Sequence, residues 1–214
     1  MPKKDVLVLL DDYWHPRATI EPVLPALLSE EGYSVTVTAD PNDLFALSQA
    51  PDLFINFKDG IADTQIPTPN WYDEALNTLL PQWVEQGMGY LGVHCGLANI
   101  PPEHAAFGQV LRGRFLHHPP QCEVTFVPTQ DHPITKGVNP FTVTDEHYFM
   151  EVAEAQTQVL GRTRSAHGDN IALWAHEMGK GRVCGVTPGH SLEVLQNPEY
   201  VRLLQNAIGW LTRA

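Results

Sequence analysis

The segment GYLGVHCG, residues 89–96, places a histidine and a cysteine directly after an apolar run. Several enzyme families hold a reactive side chain at the middle of such a strand–turn–helix elbow, between small residues. The middle position of Gly92-x-His94-x-Gly96 is the histidine, and Cys95 comes one residue late. We therefore predict that His94 faces the site and that Cys95 is a packed thiol, since free cysteine usually behaves as a small hydrophobe. A nucleophilic Cys95, and a His94 that only holds the turn by hydrogen bonds, are the competing interpretations.

The helix expected after the elbow would keep His94 neutral, because the positive end of a helix dipole disfavours imidazolium. A neutral imidazole can accept a proton, donate one to a carbonyl group or bind a metal. In open parallel sheets, ligands bind beyond the carboxyl ends of the strands. The other predicted strand ends carry Trp14, His15, Lys58 and His190. We predict that His94 and His190 meet at this edge as an acid–base pair.

A carboxylate is expected beside these histidines. Residues 141–150 are predicted to form a strand, on which neighbouring side chains alternate between the two faces. Only one of Asp145 and Glu146 would then point inward. We predict that Glu146 does so, with Tyr148 on the same face, and that it orients a catalytic histidine or shares its proton. A solvated acidic surface is the alternative interpretation.

The side chains around this pair are predicted to bind a sugar-like substrate. Prolines keep the segment HHPP, residues 117–120, extended, which can project His118 into the site. Tryptophan faces can stack on a sugar ring, although core packing is their commoner use. The predicted substrate-binding set consists of His15, Trp14, His118, Tyr148, Trp174 and Lys58.

A bound metal is the second interpretation of the same residues. Imidazole and carboxylate are ligands that zinc, iron and manganese accept. The sequence has no tight HxH or HExxH spacing, but a site built from separate strand ends leaves no local signature. The candidate ligands are His15, His94, His118 and His190. The sequence requires no cofactor and leaves a divalent metal open.

The elements that must position these residues alternate between apolar strands and amphipathic helices. The strands predicted in the first half cover residues 5–10, 34–38, 52–57 and 88–93. Helical apolar spacing occurs from Ile20 to Leu28 and from Leu76 to Val84, and this order predicts a parallel sheet with helices on both faces. The second half is predicted to add an edge-type strand at 121–127, the strand 141–150, a strand at 158–163, a hairpin of 171–177 with 182–186 and a last helix from Asn197-Pro198. We expect a single domain over residues 1–214.

Composition limits the classes of partner. The net charge of −12 disfavours nucleic acid and anionic membranes, which attract basic surfaces. No apolar run approaches the ~20 residues of a membrane helix. Three cysteines are an odd set for a disulfide framework, so we expect a cytoplasmic protein with a small-molecule partner. Homo-oligomerisation stays open.

Several short motifs, in this order and spacing, resemble the ThuA-like proteins of trehalose utilisation, a branch of the class I glutamine amidotransferase-like superfamily. The matching segments are His15, GYLGVHCG at 89–96, Phe115 with His118-Pro119, HPITKG at 132–137, DEHY at 145–148, Trp174, GKGRV at 179–183, Gly189-His190 and AIGW at 207–210. The resemblance implies a flavodoxin-like three-layer α/β/α sandwich with a mostly parallel central sheet. It also implies a role in carbohydrate catabolism.

The chain departs from amidotransferase chemistry at the elbow. Amidotransferases of this superfamily carry cysteine there and a late His-x-Glu, whereas this chain has His94, and Glu193 lies three residues after His190. Glutamine hydrolysis is therefore not expected. The predicted function is an enzyme that hydrolyses or isomerises a sugar or keto-sugar by histidine acid–base catalysis. The alternatives are a metal-dependent sugar hydrolase or isomerase and a non-catalytic sugar- or partner-binding module.

Overall fold

The computed structural model describes residues 2–61, 70–72, 74–101 and 104–213. The Pro- and Thr-rich segment 59–70 is predicted from the sequence to be a loop, and most of it lies outside these residues. The strands are β1 Lys4–Leu9, β2 Tyr33–Thr38, β3 Leu53–Asn56, β4 Gly89–Val93, β5 Gly113–His117, β6 Cys122–Pro128, β7 Phe141–Asp145, β8 Phe149–Val152, β9 Gln158–Ser165, β10 Gly168–Met178 and β11 Gly181–Val186. The helices are α1 Arg17–Ile20, α2 Leu24–Leu27, α3 Asp43–Ala46, α4 Glu74–Gln86, α5 Ala105–Leu111, α6 Leu192–Leu195 and α7 Pro198–Thr212.

Nine strands of the described chain form one mixed sheet in the order β2-β1-β3-β4-β11-β10-β9-β6-β7. The first five strands pair in parallel, and the remaining pairings are antiparallel. Because direction alternates from β11 to β7, β7 again runs the same way as the parallel core. Its carboxyl end therefore lies at the edge where the parallel strands end.

Helices cover both faces of this sheet, so the α/β architecture has three layers. One buried cluster joins α2 and α7 to one face, and the other joins α4 to the opposite face. Asn197 caps the first turn of α7 by accepting from the backbone N–H groups of Glu199 and Tyr200. The helical spacing of the sequence predicts an apolar stripe on α7, and all of its residues are buried: Tyr200, Leu203, Leu204, Ala207, Ile208 and Leu211. The proline that follows the cap lacks an N–H group that would otherwise be unsatisfied at this position.

The helix predicted from Ile20 to Leu28, which Pro25 is expected to bend or to delay, is interrupted. The segment consists of α1, a 3₁₀ turn at Glu21–Val23 and α2. Pro22 and Pro25 cause the interruption, because a proline inside a helix removes a hydrogen-bond donor and clashes with the preceding turn. The apolar residues of the segment still face the core.

Two strand predictions in the second half need correction. β6 pairs with both β7 and β9, so it is an interior strand and not an edge strand. The strand expected over 141–150 is two strands in different sheets, because β7 ends at Asp145 and β8 pairs with β5 in a separate two-stranded sheet. Residues 146–148 connect them. No helix in the described part of the chain is long and apolar enough to span a bilayer.

Candidate functional site

The elbow after β4 places a histidine in an unusual backbone conformation. His94 has φ 47° and begins a 3₁₀ turn, His94–Leu97, in place of the α-helix expected after the elbow. The argument from a helix dipole therefore does not apply to this residue. Gly96 is required here, since a Cβ would lie 2.0 Å from the carbonyl oxygen of Asn56. Backbone strain in a non-glycine residue such as His94 persists only where the surrounding structure enforces it, and it is concentrated at functional sites.

The imidazole of His94 is completely buried and has a fixed tautomer. Its Nδ1 lies 2.7 Å from the carbonyl oxygen of Thr187, which can only accept, so Nδ1 carries a hydrogen. In the neutral ring Nε2 then presents a lone pair. Nε2 is buried without a hydrogen-bond partner among the described residues, although it lies 3.4 Å from Oε2 of Glu146. A buried polar atom without a hydrogen-bond partner lowers the stability of the fold unless a ligand supplies that partner.

His15, in the loop after β1, is likewise oriented by a hydrogen bond at its Nδ1. Its Nδ1 lies 2.9 Å from Oδ1 of Asp12, and both side chains are buried. Burial opposes ionisation of Asp12, but the hydrogen bond and charge of His15, with backbone N–H donors, hold the pKa of Asp12 below its usual value. Burial lowers the pKa of His15 despite this partner. Nε2 of His15 is directed at Nδ1 of His190, 3.1 Å away.

Glu146 is the carboxylate at the centre of the histidines. Its Oε2 lies 3.3 Å from Nδ1 of His190, 3.4 Å from Nε2 of His94 and 3.7 Å from Nε2 of His118. Burial opposes its ionisation, but the facing imidazoles outweigh this effect and hold the pKa of Glu146 well below its usual range. Conversely, the hydrogen bond that His190 donates to Glu146 raises the pKa of His190, with burial acting against it.

Asp145 also serves the site, which corrects the prediction that only one of the two acidic side chains points inward. Its carboxylate accepts hydrogen bonds from the backbone N–H groups of Gly189 (2.9 Å) and His190 (3.1 Å). The alternation argument fails because β7 ends at Asp145, and the chain turns before Glu146. One carboxylate thus positions the loop that carries His190, and its neighbour contacts the imidazoles.

A cavity of about 260 Å³ opens beside this cluster. Its lining combines aromatic faces with polar groups: Trp14, His15, Asp59, Ala98, Asn99, Phe115, His118, Glu146 and Tyr148. Tyr148 stacks on His94 with ring centroids 4.2 Å apart, which fixes the plane of that imidazole. His118, at the more exposed rim, has its Nδ1 2.9 Å from the carbonyl oxygen of Pro119.

Two members of the predicted substrate-binding set are not in the cavity. Trp174 is fully buried in β10, where its Nε1 donates to the carbonyl of Leu111, so it cannot stack on a ligand. Lys58 is buried, and its ammonium donates to the carbonyl of Asp11, so it supports the loop after β1. Burial lowers the pKa of this lysine.

The thiol of Cys95 is packed, as the position of His94 suggested. The side chain is buried, and Sγ donates to the carbonyl of Phe57 over 2.7 Å. Burial raises the pKa of the thiol well above its usual value. A thiolate nucleophile at this position is therefore not supported.

Sequence reasoning missed the groups that hold the imidazoles in place. Asp12 was visible as a residue after a strand, and the spacing Asp12-x-x-His15 could have indicated the pairing. The carbonyl of Thr187 has no sequence signal, because any residue supplies one. Its role depends on β11 lying next to β4.

The ligand atoms of His15, His94, Glu146 and His190 all lie within 4.8 Å of one another. His118, one of the four predicted ligands, is not in this group, and Glu146 takes its place. The fold and the site thus define a class: an α/β protein with a histidine–carboxylate cluster at the carboxyl edge of its parallel strands.

Within that class, residues 5–211 match the family profile described as ThuA, trehalose utilisation. The chain belongs to the ThuA family, as the sequence motifs indicated. The family description supports a carbohydrate-related role. No curated protein matches the sequence.

Solved structures share the fold at low sequence identity. A ThuA-like protein of Bacteroides uniformis has a TM-score of 0.78 and 18% identity, over 98% of this chain and 91% of that one. A cytoplasmic protein of Salmonella typhimurium has a TM-score of 0.63 and 16% identity, over 97% and 99% of the two chains. A β-galactosidase of Bacillus circulans has a TM-score of 0.61 and 12% identity, over 99% of this chain and 31% of the enzyme. At such identities these similarities describe the fold alone.

Proposed function

We propose that the protein is a metal-dependent enzyme that hydrolyses or isomerises a sugar or keto-sugar. The observation that carries the proposal is the convergence of three imidazole nitrogens and one carboxylate oxygen at the edge of a cavity. Between the two mechanisms left open by the sequence, this geometry favours the metal. The carbohydrate-related role of the family supports a sugar as the substrate.

Three of the six separations between the four ligand atoms match those expected around a small divalent ion, and the other three are at most 4.8 Å. Zinc binds histidine nitrogen at ~2.0–2.1 Å in tetrahedral geometry, which places neighbouring ligand atoms about 3.3 Å apart. The corresponding separations are 3.1 Å between His15 and His190, 3.3 Å between His190 and Glu146, and 3.4 Å between His94 and Glu146. Manganese and iron accept the same donors.

In two of these imidazoles, the ring nitrogen that faces away from the proposed metal has a hydrogen-bond acceptor. Metal-bound histidine usually donates its second ring N–H to a carboxylate or a carbonyl group. Asp12 provides that acceptor for His15, and the Thr187 carbonyl provides it for His94. A metal would also give the buried Nε2 of His94 the partner that it lacks among the described residues.

An ion bound here would act on ligands in the cavity. It would polarise a sugar carbonyl or hydroxyl oxygen, or lower the pKa of a bound water. Trp14 and Phe115 supply aromatic faces on which a sugar ring can stack. His118, outside the ligand group but at the rim, is positioned to donate to or accept from a sugar hydroxyl.

Metal content of protein purified without a histidine tag tests this proposal. After incubation with Zn²⁺ or Mn²⁺ and dialysis, the wild-type protein should retain one equivalent, measured by plasma mass spectrometry. His94→Ala should lose it. His117→Ala is the matched control, because this exposed histidine stacks on Phe149 outside the ligand group. Equal retention by all three proteins, or no retention by any, would contradict the proposal.

Metal-free acid–base catalysis is the second candidate, and the elevated pKa of His190 beside Glu146 favours it. In that mechanism His190 donates a proton and His94 accepts one, which typically contributes ~10²–10⁴-fold. Turnover of a sugar panel, followed by NMR, separates the candidates. Full activity after chelation would support acid–base catalysis. A sugar-induced rise in melting temperature without turnover would indicate a binding module instead.

The proposed setting is the cytoplasm, with a small sugar as the partner. The similar Salmonella protein is described as cytoplasmic. The net charge of −12 argues against nucleic acid or anionic membrane as a partner. Sedimentation at several concentrations would determine whether the chain forms homo-oligomers.

A further inference from the structure

A metal-dependent reaction at the cluster needs a proton carrier outside the ligand group. In the proposed metal centre, the three imidazoles donate their lone pairs, and Glu146 donates one carboxylate oxygen. Another group must then move the proton that hydrolysis or isomerisation transfers. The titratable residues that line the cavity outside this set are Asp59, His118 and Tyr148. Burial raises the pKa of Tyr148 well above its usual value, so this phenol stays neutral.

Asp59, in the segment after β3, is oriented through both its side chain and its backbone. It is 4% exposed, and its Oδ1 accepts from the backbone N–H of Ile61 (2.7 Å) and from the side-chain amide of Asn99 (2.9 Å). The same amide lies 3.1 Å from Oδ2. The backbone N–H of Asp59 donates to Oδ2 of Asp12 (3.0 Å), whose Oδ1 contacts Nδ1 of His15. One side chain thus fixes Asp59 relative to a proposed metal ligand.

The surroundings of Asp59 suit a carboxyl group that changes its protonation state near neutral pH. Burial raises the pKa of Asp59 to about 6 against the hydrogen bonds from Ile61 and Asn99, and the negative charge of Asp12 adds to the increase. The other ionisable groups around it are His15, Tyr72, Cys95, Tyr148 and Lys58. Protonated His15 would oppose the increase. Burial keeps the two phenols and the thiol neutral, and the ammonium of Lys58 donates to a backbone carbonyl of the loop after β1.

His118 is the alternative proton carrier. It is exposed at the rim of the cavity, with its Nδ1 2.9 Å from the carbonyl oxygen of Pro119 and its Nε2 3.7 Å from Oε2 of Glu146. A proton carrier must be held within hydrogen-bond reach of the reacting atom. Asp59 is buried and oriented by two donors, whereas the imidazole of His118 is anchored at one nitrogen and exposed to solvent. The geometry therefore favours Asp59.

We propose that Asp59 is the general acid–base residue of the site. In hydrolysis, water adds to the carbon that carries the leaving oxygen, one water proton passes to the carboxylate of Asp59, and this proton then passes to the leaving oxygen as its bond to carbon breaks. In isomerisation, Asp59 takes a proton from the carbon next to the carbonyl and returns it to the former carbonyl carbon, while the hydroxyl proton passes to the former carbonyl oxygen. This inference rests on the proposed function and adds the residue that moves the proton.

Four variants separate a proton carrier from a structural carboxylate. Asp59→Asn removes the titrating group at nearly constant shape. Asn99→Gly keeps the carboxyl group and removes the amide that orients it, and glycine tolerates the φ of 54° at this position. His118→Gln tests the alternative carrier, and the exposed Asp131→Asn is the matched control. Circular dichroism and retention of one equivalent of metal would verify the fold and the ligand group of each variant.

Carbon NMR of metal-free protein, labelled at the aspartate carboxyl carbons, gives a result that needs no substrate. One resonance, absent from Asp59→Asn, should titrate with a midpoint at about 6. In Asn99→Gly this midpoint should move to higher pH, because the lost hydrogen bond favours the carboxylate. A wild-type midpoint at the ordinary aspartate value of ~3.9 would overturn the proposed role.

Turnover of the best substrate from the sugar panel gives the second result. Asp59→Asn should lower kcat by ~10²–10⁴-fold with little change in KM, and His118→Gln should change KM more than kcat. The wild-type kcat/KM should fall as the pH drops through about 6, and this fall should begin at higher pH in Asn99→Gly. A structural role for Asp59 would lower activity in both variants without moving the pH profile.

Two results would overturn the inference and leave the proposed function standing. They are a wild-type kcat in folded, metal-loaded Asp59→Asn, and a loss of kcat in His118→Gln alone. If Asp59→Asn does not fold, Asn99→Gly decides, and an unmoved NMR midpoint together with an unmoved pH profile would contradict the role of Asp59. If the metal-loaded wild type turns over no sugar, the proposed function fails, and the inference fails with it.

Discussion

Substitution of Asp12 by asparagine should weaken metal binding through His15. One carboxylate oxygen of Asp12 accepts from Nδ1 of His15 (2.9 Å) and from the backbone N–H groups of His15 (2.8 Å) and Trp14 (2.9 Å). The other oxygen accepts from the backbone N–H of Asp59 (3.0 Å). Asparagine has one acceptor oxygen, so its NH₂ group must face at least one of these donors. The substitution also removes the negative charge that makes His15 a stronger ligand.

Two magnitudes follow from this geometry. Loss of the carboxylate partner of a ligating histidine typically costs 10–100-fold in metal affinity, or ~1.4–2.7 kcal/mol. A buried donor left unsatisfied costs ~1–3 kcal/mol of folding stability. Asp12→Asn should therefore remain folded at room temperature, with a weaker zinc site and a lower free energy of unfolding.

A competition titration against a chromophoric zinc chelator measures the affinity, and urea unfolding of the metal-free protein measures the stability. Asp131→Asn, at an exposed position, is the matched control and should change neither quantity. Wild-type zinc affinity in both Asp12→Asn and His15→Ala would refute the reasoning, because His15 would then not be a ligand that Asp12 orients.

Three further predictions test other parts of the structure. Iodoacetamide should label the half-exposed Cys122 of the native protein and leave the buried Cys95 unmodified, and peptide mass spectrometry showing early labelling of Cys95 would contradict its packing. Gly96→Ala should lower the free energy of unfolding, measured in urea, by ~1–3 kcal/mol, because the new methyl group meets the carbonyl of Asn56 in β3. The control Gly209→Ala lies in open space and should be neutral or stabilising by up to ~1 kcal/mol. Equal effects of the two substitutions would refute the steric clash at Gly96. Burial lowers the pKa of His176 from 6.5 to about 4, so the unfolded chain protonates first as the pH falls. As the pH falls from 6.5 to 4, His176 should therefore lower the free energy of unfolding by up to ~3 kcal/mol. His176→Gln should flatten this part of the pH profile of unfolding. Identical profiles for the wild type and the variant would refute the lowered pKa of His176.

Local signals in the sequence predicted the elements that depend on neighbouring residues. The cap at Asn197 and the 3.6-residue spacing that follows it determine α7, because both the hydrogen bonds and the buried face are local. The elbow placed His94 correctly at the strand end for the same reason, although the helix expected after it is a single 3₁₀ turn.

The rest of the site depends on contacts that no local pattern encodes. Strand alternation predicted that only one of Asp145 and Glu146 points inward. The structure lacks this alternation, because β7 ends at Asp145, and both acidic side chains serve the site. The sequence pattern of a strand does not distinguish a tryptophan in the core from one that lines a cavity. Trp174 is in the core. The partner of His94 is a backbone carbonyl from another strand, which only the pairing of β11 with β4 brings into contact.

Anomalous diffraction at the zinc edge, from crystals grown with Zn²⁺, tests the central claim most directly. We predict one peak at ~2.0–2.2 Å from Nε2 of His15, Nε2 of His94, Nδ1 of His190 and a carboxylate oxygen of Glu146. Crystals in which this position is empty while zinc occupies exposed histidines such as His117 would contradict the metal centre.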